Sequence, residues 1–338
     1  MNYSELLRTL IAGKHLDRQT SHWAFGQIMD GAWSEAQVAG LLVALSAKGE
    51  TVDEIAGAAQ AMREHVVKIG TGGADVVDTC GTGGTGIKTF NVSTTAALVV
   101  AGCGVKVAKH GNRTSTRPSG SADVLAALGV NIDADQSAVE RCLEKANVCF
   151  CFAVRCHPAM RYAAPVRKAL GLRTIFNVLG PLTNPAGAES QLMGVFAPQW
   201  TEPIANVLCA LGSRSAMVVH AEDGLDEVST TAATRVSRLR DGKVSTIRVQ
   251  PEDFGLPRAN LSDLLVDSSQ ASAAVTREVL AGAKGPKRDI VMLNAAAALT
   301  VAGRCDDIRA GLAPAGRSID SGAAAGALER LIAVSNGR

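Results

Sequence analysis

Residues 1–66 carry their apolar positions at helical spacing and contain no strand-like run. Ser34-Glu35-Ala36-Gln37 and Thr51-Val52-Asp53-Glu54 each set a hydroxyl ahead of a Gln or Glu, with two residues between. That reciprocal pattern satisfies the free N–H groups that open a helix, so a helix is expected to start at each. Val38, Leu41, Leu42 and Leu45 then mark one helical face, and Gly49 is placed to end it. Short connections between such helices predict an antiparallel bundle, whose surplus apolar face serves packing or dimerisation.

After Gly70-Thr71-Gly72-Gly73 the pattern changes. Short apolar runs at Val76-Val77, 105–108, 148–153, 191–196 and 216–220 alternate with helical segments, the mark of a mostly parallel sheet covered by helices. Thr234 to Arg240 and Lys243 to Val249 flank Asp241-Gly242, a strong hairpin signal. The C-terminal stretch is Ala-rich and helical again. The expected class is α/β, with a small helical N-terminal domain (residues 1–68) and a larger α/β domain (69–338) around a mostly parallel central sheet.

Composition narrows the function. The 338 residues are 47% hydrophobic and 20% charged, enough for a sizeable core. A net charge of +2 and 4% aromatics give no broad basic surface and no base-stacking platform, so no nucleic-acid partner is expected. The start, Met1-Asn2-Tyr3-Ser4-Glu5-Leu6-Leu7-Arg8, lacks the pattern of a signal peptide. The most apolar window, 94–108, is cut by Gly102, Gly104 and Lys106, so no membrane partner is expected either. Cys149, Cys151, Cys156 and His157 could be read as zinc ligands. However, Cys149 and Cys151 alternate with Phe150 and Phe152 in a strand-like run, which favours buried free thiols.

The chemistry concentrates in three segments. The run from Val76 to Asp78 ends in Gly81-Thr82-Gly83-Gly84-Thr85-Gly86, and Asn91 or Ser93 is placed to cap a helix from Thr95 to Gly102. Glycines let a backbone approach a ligand closely, and the helix N-terminus adds partial positive charge, so the pair makes an anion cradle. A dinucleotide site would open its helix within the glycines and place an acid about 20 positions on, and 101–106 has no Asp or Glu. A Walker loop is also absent, since Gly86-Ile87-Lys88-Thr89 is one residue out of step. The second segment, Lys109 to Ser121, gathers cations, hydroxyls and glycines after the next strand. The third, Asp223 to Ser229, brings Asp226 and Glu227 into a loop. Hard carboxylate oxygens beside phosphate cradles imply a magnesium–diphosphate ligand.

Together, several blocks resemble the anthranilate phosphoribosyltransferase family over essentially the whole chain. They are Gly81 to Gly84, Thr89-Phe90-Asn91-Val92-Ser93-Thr94, Lys109-His110-Gly111-Asn112-Arg113, Ser119 to Asp123, His157-Pro158-Ala159-Met160, Phe176 to Pro185 and Leu225 to Ser229. The resemblance implies a nucleoside phosphorylase/phosphoribosyltransferase-like fold, with a helical segment at about 160–188 joining the small domain. It also implies a cytoplasmic homodimer formed through the helical domain. The activity implied is transfer of the 5-phosphoribosyl group from phosphoribosyl pyrophosphate to the amine of anthranilate, in tryptophan biosynthesis.

The same resemblance assigns residues. Phosphoribosyl pyrophosphate falls to Gly81, Gly83, Gly84, Thr85, Thr89, Asn91, Val92, Ser93 and Thr94, and to Lys109, His110, Gly111, Asn112, Arg113, Thr114, Ser115, Thr116, Arg117 and Ser121. Anthranilate falls to Gly81, Asn112 and Arg167, walled by His110, His157, Gly180 and Pro181. Ser93, Asp226 and Glu227 are the implied magnesium ligands, for a pair of ions in each subunit. No side chain forms a covalent intermediate, and His110 is the candidate to assist proton removal. The match departs at two places: Thr85 stands where members carry Asp, and Arg117-Pro118 replaces part of a serine-rich turn. The first removes a carboxylate from the metal neighbourhood, and the second stiffens the loop. A pyrimidine-nucleoside phosphorylase and a nucleic-acid-binding protein of related fold are the competing readings. The glycine loop from Gly81 to Gly86 weighs against the first, and the retained blocks and the +2 charge weigh against the second.

Overall fold

The computed structural model describes residues 2–113 and 120–338. Helices α1 (Tyr3–Ile11), α2 (Arg18–Met29), α3 (Glu35–Lys48) and α4 (Val52–Glu64) open the chain. Both expected capping boxes form, at Ser34 and Thr51, and Gly49 ends α3 with a φ of 86°. Helices α2 and α4 cross closely at Gly57, where a Cβ would lie 2.8 Å from the His22 nitrogen. The bundle encloses an ion pair: Lys48 Nζ lies 2.9 Å from Glu54 Oε2, and the Glu54 side chain is fully buried.

The rest of the chain alternates strands and helices. In order come β1 (Val77–Gly81), α5 (Val92–Gly102), β2 (Val107–Gly111), α6 (Ser121–Leu128), α7 (Gln136–Ala146) and β3 (Val148–Phe152). Then follow α8 (Ala153–Cys156), α9 (Ala164–Leu170), α10 (Phe176–Leu179), β4 (Ser190–Gly194), α11 (Thr201–Ala210) and β5 (Ser215–Ala221). The hairpin β6 (Thr234–Arg240) and β7 (Lys243–Val249) precedes α12 (Ser269–Leu280), α13 (Pro286–Val301), α14 (Ile308–Asp320) and α15 (Ala323–Ser335). Among the described residues the sheet has seven strands in the order β3-β2-β1-β4-β5-β6-β7. Strands β1 to β5 are parallel, and the hairpin adds an antiparallel edge. Its turn has Asp241 at φ 52° and Gly242 at φ 70°, the left-handed pair that a tight hairpin needs.

Side-chain alternation gives the sheet two apolar faces. Val77, Val107, Leu192, Met217 and Val219 pack with α5, α13 and α15. Cys80, Met193, Val195, Ala216 and Val218 share a second cluster with α1–α4, α10 and α11. Ala163, Val166, Phe176, Leu179 and Leu182 belong to that second cluster, so the 160–188 segment packs against the bundle. Among the described residues no helix is long and apolar enough to cross a membrane.

Two of the boundaries that differ from the sequence expectation draw polar residues into regular structure. The run at 105–108 predicts a strand that stops before the polar cluster. Instead β2 continues through Lys109, His110 and Gly111, paired with Phe150, Cys151 and Phe152. The ladder can continue because the polar groups are satisfied: the His110 N–H donates to Asp78 Oδ1 at 3.1 Å, and Lys109 Nζ donates to the Thr79 carbonyl. The helix expected from Thr95 starts at Val92, and Asn91 is its cap, accepting from the Thr94 N–H at 3.0 Å. Ser93 therefore lies in the first turn.

Candidate active site

Strands β2 and β3 are added on one side of β1 and β4 and β5 on the other, so the strand order reverses between β1 and β4. Parallel sheets take ligands at such a point, outside the carboxyl ends of the strands. A cleft of about 570 Å³ opens there. One wall is the glycine loop, in which Gly83, Gly84 and Gly86 hold φ values of 63°, 81° and 76°. These conformations are closed to most side chains and turn backbone groups toward a ligand. The N-terminus of α5 lies beside the loop, through Asn91, Val92 and Ser93.

Lys109 forms part of the floor. Its Nζ donates to the Thr79 carbonyl and, at 3.2 Å, to Ser93 Oγ. Burial pushes its ammonium down, while Asp78 and Glu227 pull it back toward the charged form. Asp78 is the buried partner: burial pushes its carboxyl up, and Lys109 and Asn184 oppose that. Both Asp78 oxygens accept hydrogen bonds, from the His110 N–H and from Asn184 Nδ2 at 2.8 Å, which fixes its carboxyl group beneath the cleft.

The carboxylates come from the loop after β5. Asp226 is buried and sits over the carboxyl ends of β1 and β4, where Gly81 and Gly194 are paired in register. A Cβ on Gly81 would lie 2.9 Å from Asp226 Oδ2, and one on Gly194 would run into the Asp226 carbonyl. Glycine at both positions is what lets the acid reach the cleft.

Opposite these groups, His110 Nε2 lies 3.1 Å from His157 Nε2. Burial first, then the neighbouring His157, pushes His110 down to about 3. Burial alone pushes His157 down to about 4. Both rings are therefore neutral at physiological pH. Arg167 also lines the cleft, half-buried, with its guanidinium carbon 5.4 Å from the Phe176 ring centre. The sequence around it, Pro165-Val166-Arg167-Lys168, reads as an exposed helix face, and the packing of α9 against α3, with the Phe176 ring beside the guanidinium, sets it at the cleft.

Comparison with known proteins decides the family. Residues 4–66 match the glycosyl transferase family helical bundle domain, and residues 73–325 match the glycosyl transferase family a/b domain. An anthranilate phosphoribosyltransferase of Anaeromyxobacter dehalogenans (strain 2CP-1 / ATCC BAA-258) is 51% identical over 329 residues, which span 97% of each chain. This chain belongs to the anthranilate phosphoribosyltransferase family. The crystal structure of the Thermus thermophilus member matches with a TM-score of 0.93 at 42% identity, over 98% of this chain and 99% of that one. The Saccharomyces cerevisiae member, solved in complex with PRPP and Mg, matches with a TM-score of 0.90 at 28% identity, over 99% of this chain and 98% of that one.

Of the residues singled out by the family resemblance, most line the one cleft. They are Gly81, Gly83, Gly84, Thr89, Asn91, Val92, Ser93, Lys109, His110, Gly111, Asn112, Arg113, Ser121, Arg167, Asp226 and Glu227. His157 stands behind His110 rather than on the surface of the cleft. Gly180 and Pro181 lie in a 3₁₀ turn at its back, where the Pro181 carbonyl accepts from Gln191 Nε2 at 2.6 Å. Thr94 and Thr85 are also outside the lining, Thr94 because its helical position turns it into the core. Thr114, Ser115, Thr116 and Arg117, expected on the phosphate loop, lie outside the described residues. The structure adds Cys80, Thr82, Phe90, Gly120, Gly171, Leu172, Arg173 and Asn177 to the lining. Asn177 belongs to the matched Phe176 to Pro185 run and could have been named from it. Nothing in the local pattern around Leu172 and Arg173 distinguishes them from an ordinary helix connection.

Proposed function

We propose that this chain transfers the 5-phosphoribosyl group of phosphoribosyl pyrophosphate to the amine of anthranilate, giving N-(5-phosphoribosyl)anthranilate and diphosphate. The observation that carries this reading is a single cleft shared by the glycine loop, Lys109, the Asp226-Glu227 pair and Arg167. In the reaction the bond from ribose C1 to the diphosphate oxygen breaks, and the electron pair leaves with diphosphate. The amine nitrogen forms the new bond to C1 and gives up a proton. No protein nucleophile is required, so the chain's tasks are alignment and charge stabilisation.

Each wall has a task. The loop N–H groups, the α5 N-terminus and Lys109 receive the phosphate oxygens. Asn112 and Arg167 receive anthranilate, the guanidinium fork fitting its carboxylate. Asp226, Glu227 and Ser93 offer hard oxygen ligands suited to magnesium. Among the described residues no three His, Cys, Asp or Glu side chains gather as a metal cage, which fits an ion shared with substrate phosphate. Bound magnesium supplies neutralisation of the charge that builds on the departing diphosphate. We assign His110 and His157 to the wall, because a ring titrating near 3 is a weak acceptor for the amine proton at neutral pH.

The small domain is read as residues 1–68 with the 160–188 segment, and the large domain as the remainder of 69–338. The homodimer is assigned to the outer face of α1 and α3, an apolar groove of about 740 Å³ lined by Leu7, Leu10, Ile11, Val43 and Ala44. Ile11 is 73% and Val43 is 43% exposed, a cost that a second copy would remove. A cytoplasmic location suits cysteines that are all free. The deciding assay mixes the protein with anthranilate, magnesium and phosphoribosyl pyrophosphate and follows anthranilate fluorescence. Steady fluorescence across a magnesium series would refute the reading.

A further inference from the structure

We propose that Arg173 is a positioning residue for phosphoribosyl pyrophosphate, holding the glycine loop from the helical-domain side of the cleft. The inference rests on the function just given and extends it to a residue that the sequence did not mark.

Arg173 is solvent-exposed, yet it is fixed at three points that belong to three parts of the molecule. Its Nη2 donates to the Gly84 carbonyl at 2.6 Å. Its guanidinium carbon lies 4.3 Å from the centre of the Phe196 ring, just beyond the end of β4. Its own carbonyl accepts from Ser46 Oγ of α3 at 3.3 Å. An exposed arginine ordinarily keeps its rotamer freedom, and fixing one costs conformational entropy. Here a charge-assisted hydrogen bond and a cation–π contact offset that cost.

The bond to Gly84 has a directional consequence. The peptide unit is planar and trans, so a carbonyl drawn toward Arg173 aims the following N–H, that of Thr85, the opposite way. Gly84 holds φ 81° with no side chain to limit rotation of its neighbouring peptide planes. A glycine-rich loop of this kind can rotate those planes at little cost, and each rotation would change which backbone groups of the loop face the cleft. Arg173 fixes one plane and places a positive charge beside the cradle at the same time. Since its backbone is tied to α3, the order of the diphosphate loop is coupled to the helical bundle. Arg167 has a different setting: it stacks over Phe176 of α10 rather than holding the loop, so the two arginines should affect different substrates.

The test compares Arg173→Met and Arg173→Lys with the wild type. KM for each substrate, calorimetric binding of phosphoribosyl pyrophosphate with magnesium, and melting temperature are measured. Loss of one charge-assisted bond should raise KM and Kd for phosphoribosyl pyrophosphate about tenfold in the Met variant. KM for anthranilate should stay within about twofold, and melting should be unchanged because the side chain is exposed. The Lys variant, which keeps a charged donor, should recover much of the loss. Wild-type affinity for phosphoribosyl pyrophosphate in the Met variant overturns the proposal, as does an equal rise in KM for anthranilate. Binding without turnover in the wild type would instead count against the assigned reaction and leave the role of Arg173 standing.

Discussion

The backbone carbonyl of Asp226 occupies the space that a side chain on Gly194 would need. The acid is therefore placed by a glycine far from it in sequence, at the end of the strand next to β1. Gly194→Ala should fold, since the clash is confined to one loop, but it must push Asp226 off the cleft. A shift of about 1 Å in a charge-stabilising group costs on the order of 100-fold in rate. Turnover at saturating substrate should fall by about that factor with circular dichroism unchanged. Wild-type turnover would show that the position of Asp226 does not matter.

Removing the acids themselves tests their role directly. Replacing Asp226 and Glu227 together by Ala should abolish turnover at ordinary magnesium, with partial recovery at raised magnesium. Undiminished rates would remove both from the metal site.

Arg167→Ala should act on anthranilate. Loss of a bidentate carboxylate partner should raise KM for anthranilate at least about tenfold, with little change for phosphoribosyl pyrophosphate. An unchanged anthranilate response would assign the carboxylate to another group.

The buried histidine pair predicts acid sensitivity. Both folded values, about 3 and about 4, lie below the ordinary value of about 6.5, so the unfolded chain binds these protons first. Their contribution to stability is complete above about pH 6.5 and declines as pH falls toward those values. For His157 alone the loss by pH 4 should reach roughly 2–3 kcal/mol. Urea unfolding at several pH values would measure it, and His157→Asn should flatten the slope. An equal slope in the variant would locate the sensitivity elsewhere.

Glu54 gives the opposite experiment, on stability without activity. Burial pushes its carboxyl up, but the Leu16 N–H and Lys48 outweigh that and hold it below the usual range. Glu54→Gln leaves Lys48 without its counter-charge and should cost about 3 kcal/mol near neutral pH. Because the folded value is depressed, the gap between wild type and variant should close as pH falls below about 4. A gap independent of pH would mean that packing, rather than charge, holds the helices together at this point.

The sequence by itself determined the local elements and most of the cleft. Capping at Ser34 and Thr51, the hairpin turn at Asp241-Gly242 and the glycine loop follow from short-range rules of hydrogen bonding and allowed dihedrals. Those rules act within a few residues, so they can be read along the chain. The family resemblance then gathered Lys109, Asn112, Arg167, Asp226 and Glu227 into one site. Tertiary structure decided the remainder. It carried β2 through Lys109 and His110, because Asp78 and Thr79 on the adjacent strand satisfy groups that would otherwise end the ladder. It seated Asp226 over Gly81 and Gly194, set His157 behind His110, and brought Arg173 to Gly84. Each of these depends on groups far apart in sequence meeting in the packed fold, and no local periodicity encodes that meeting.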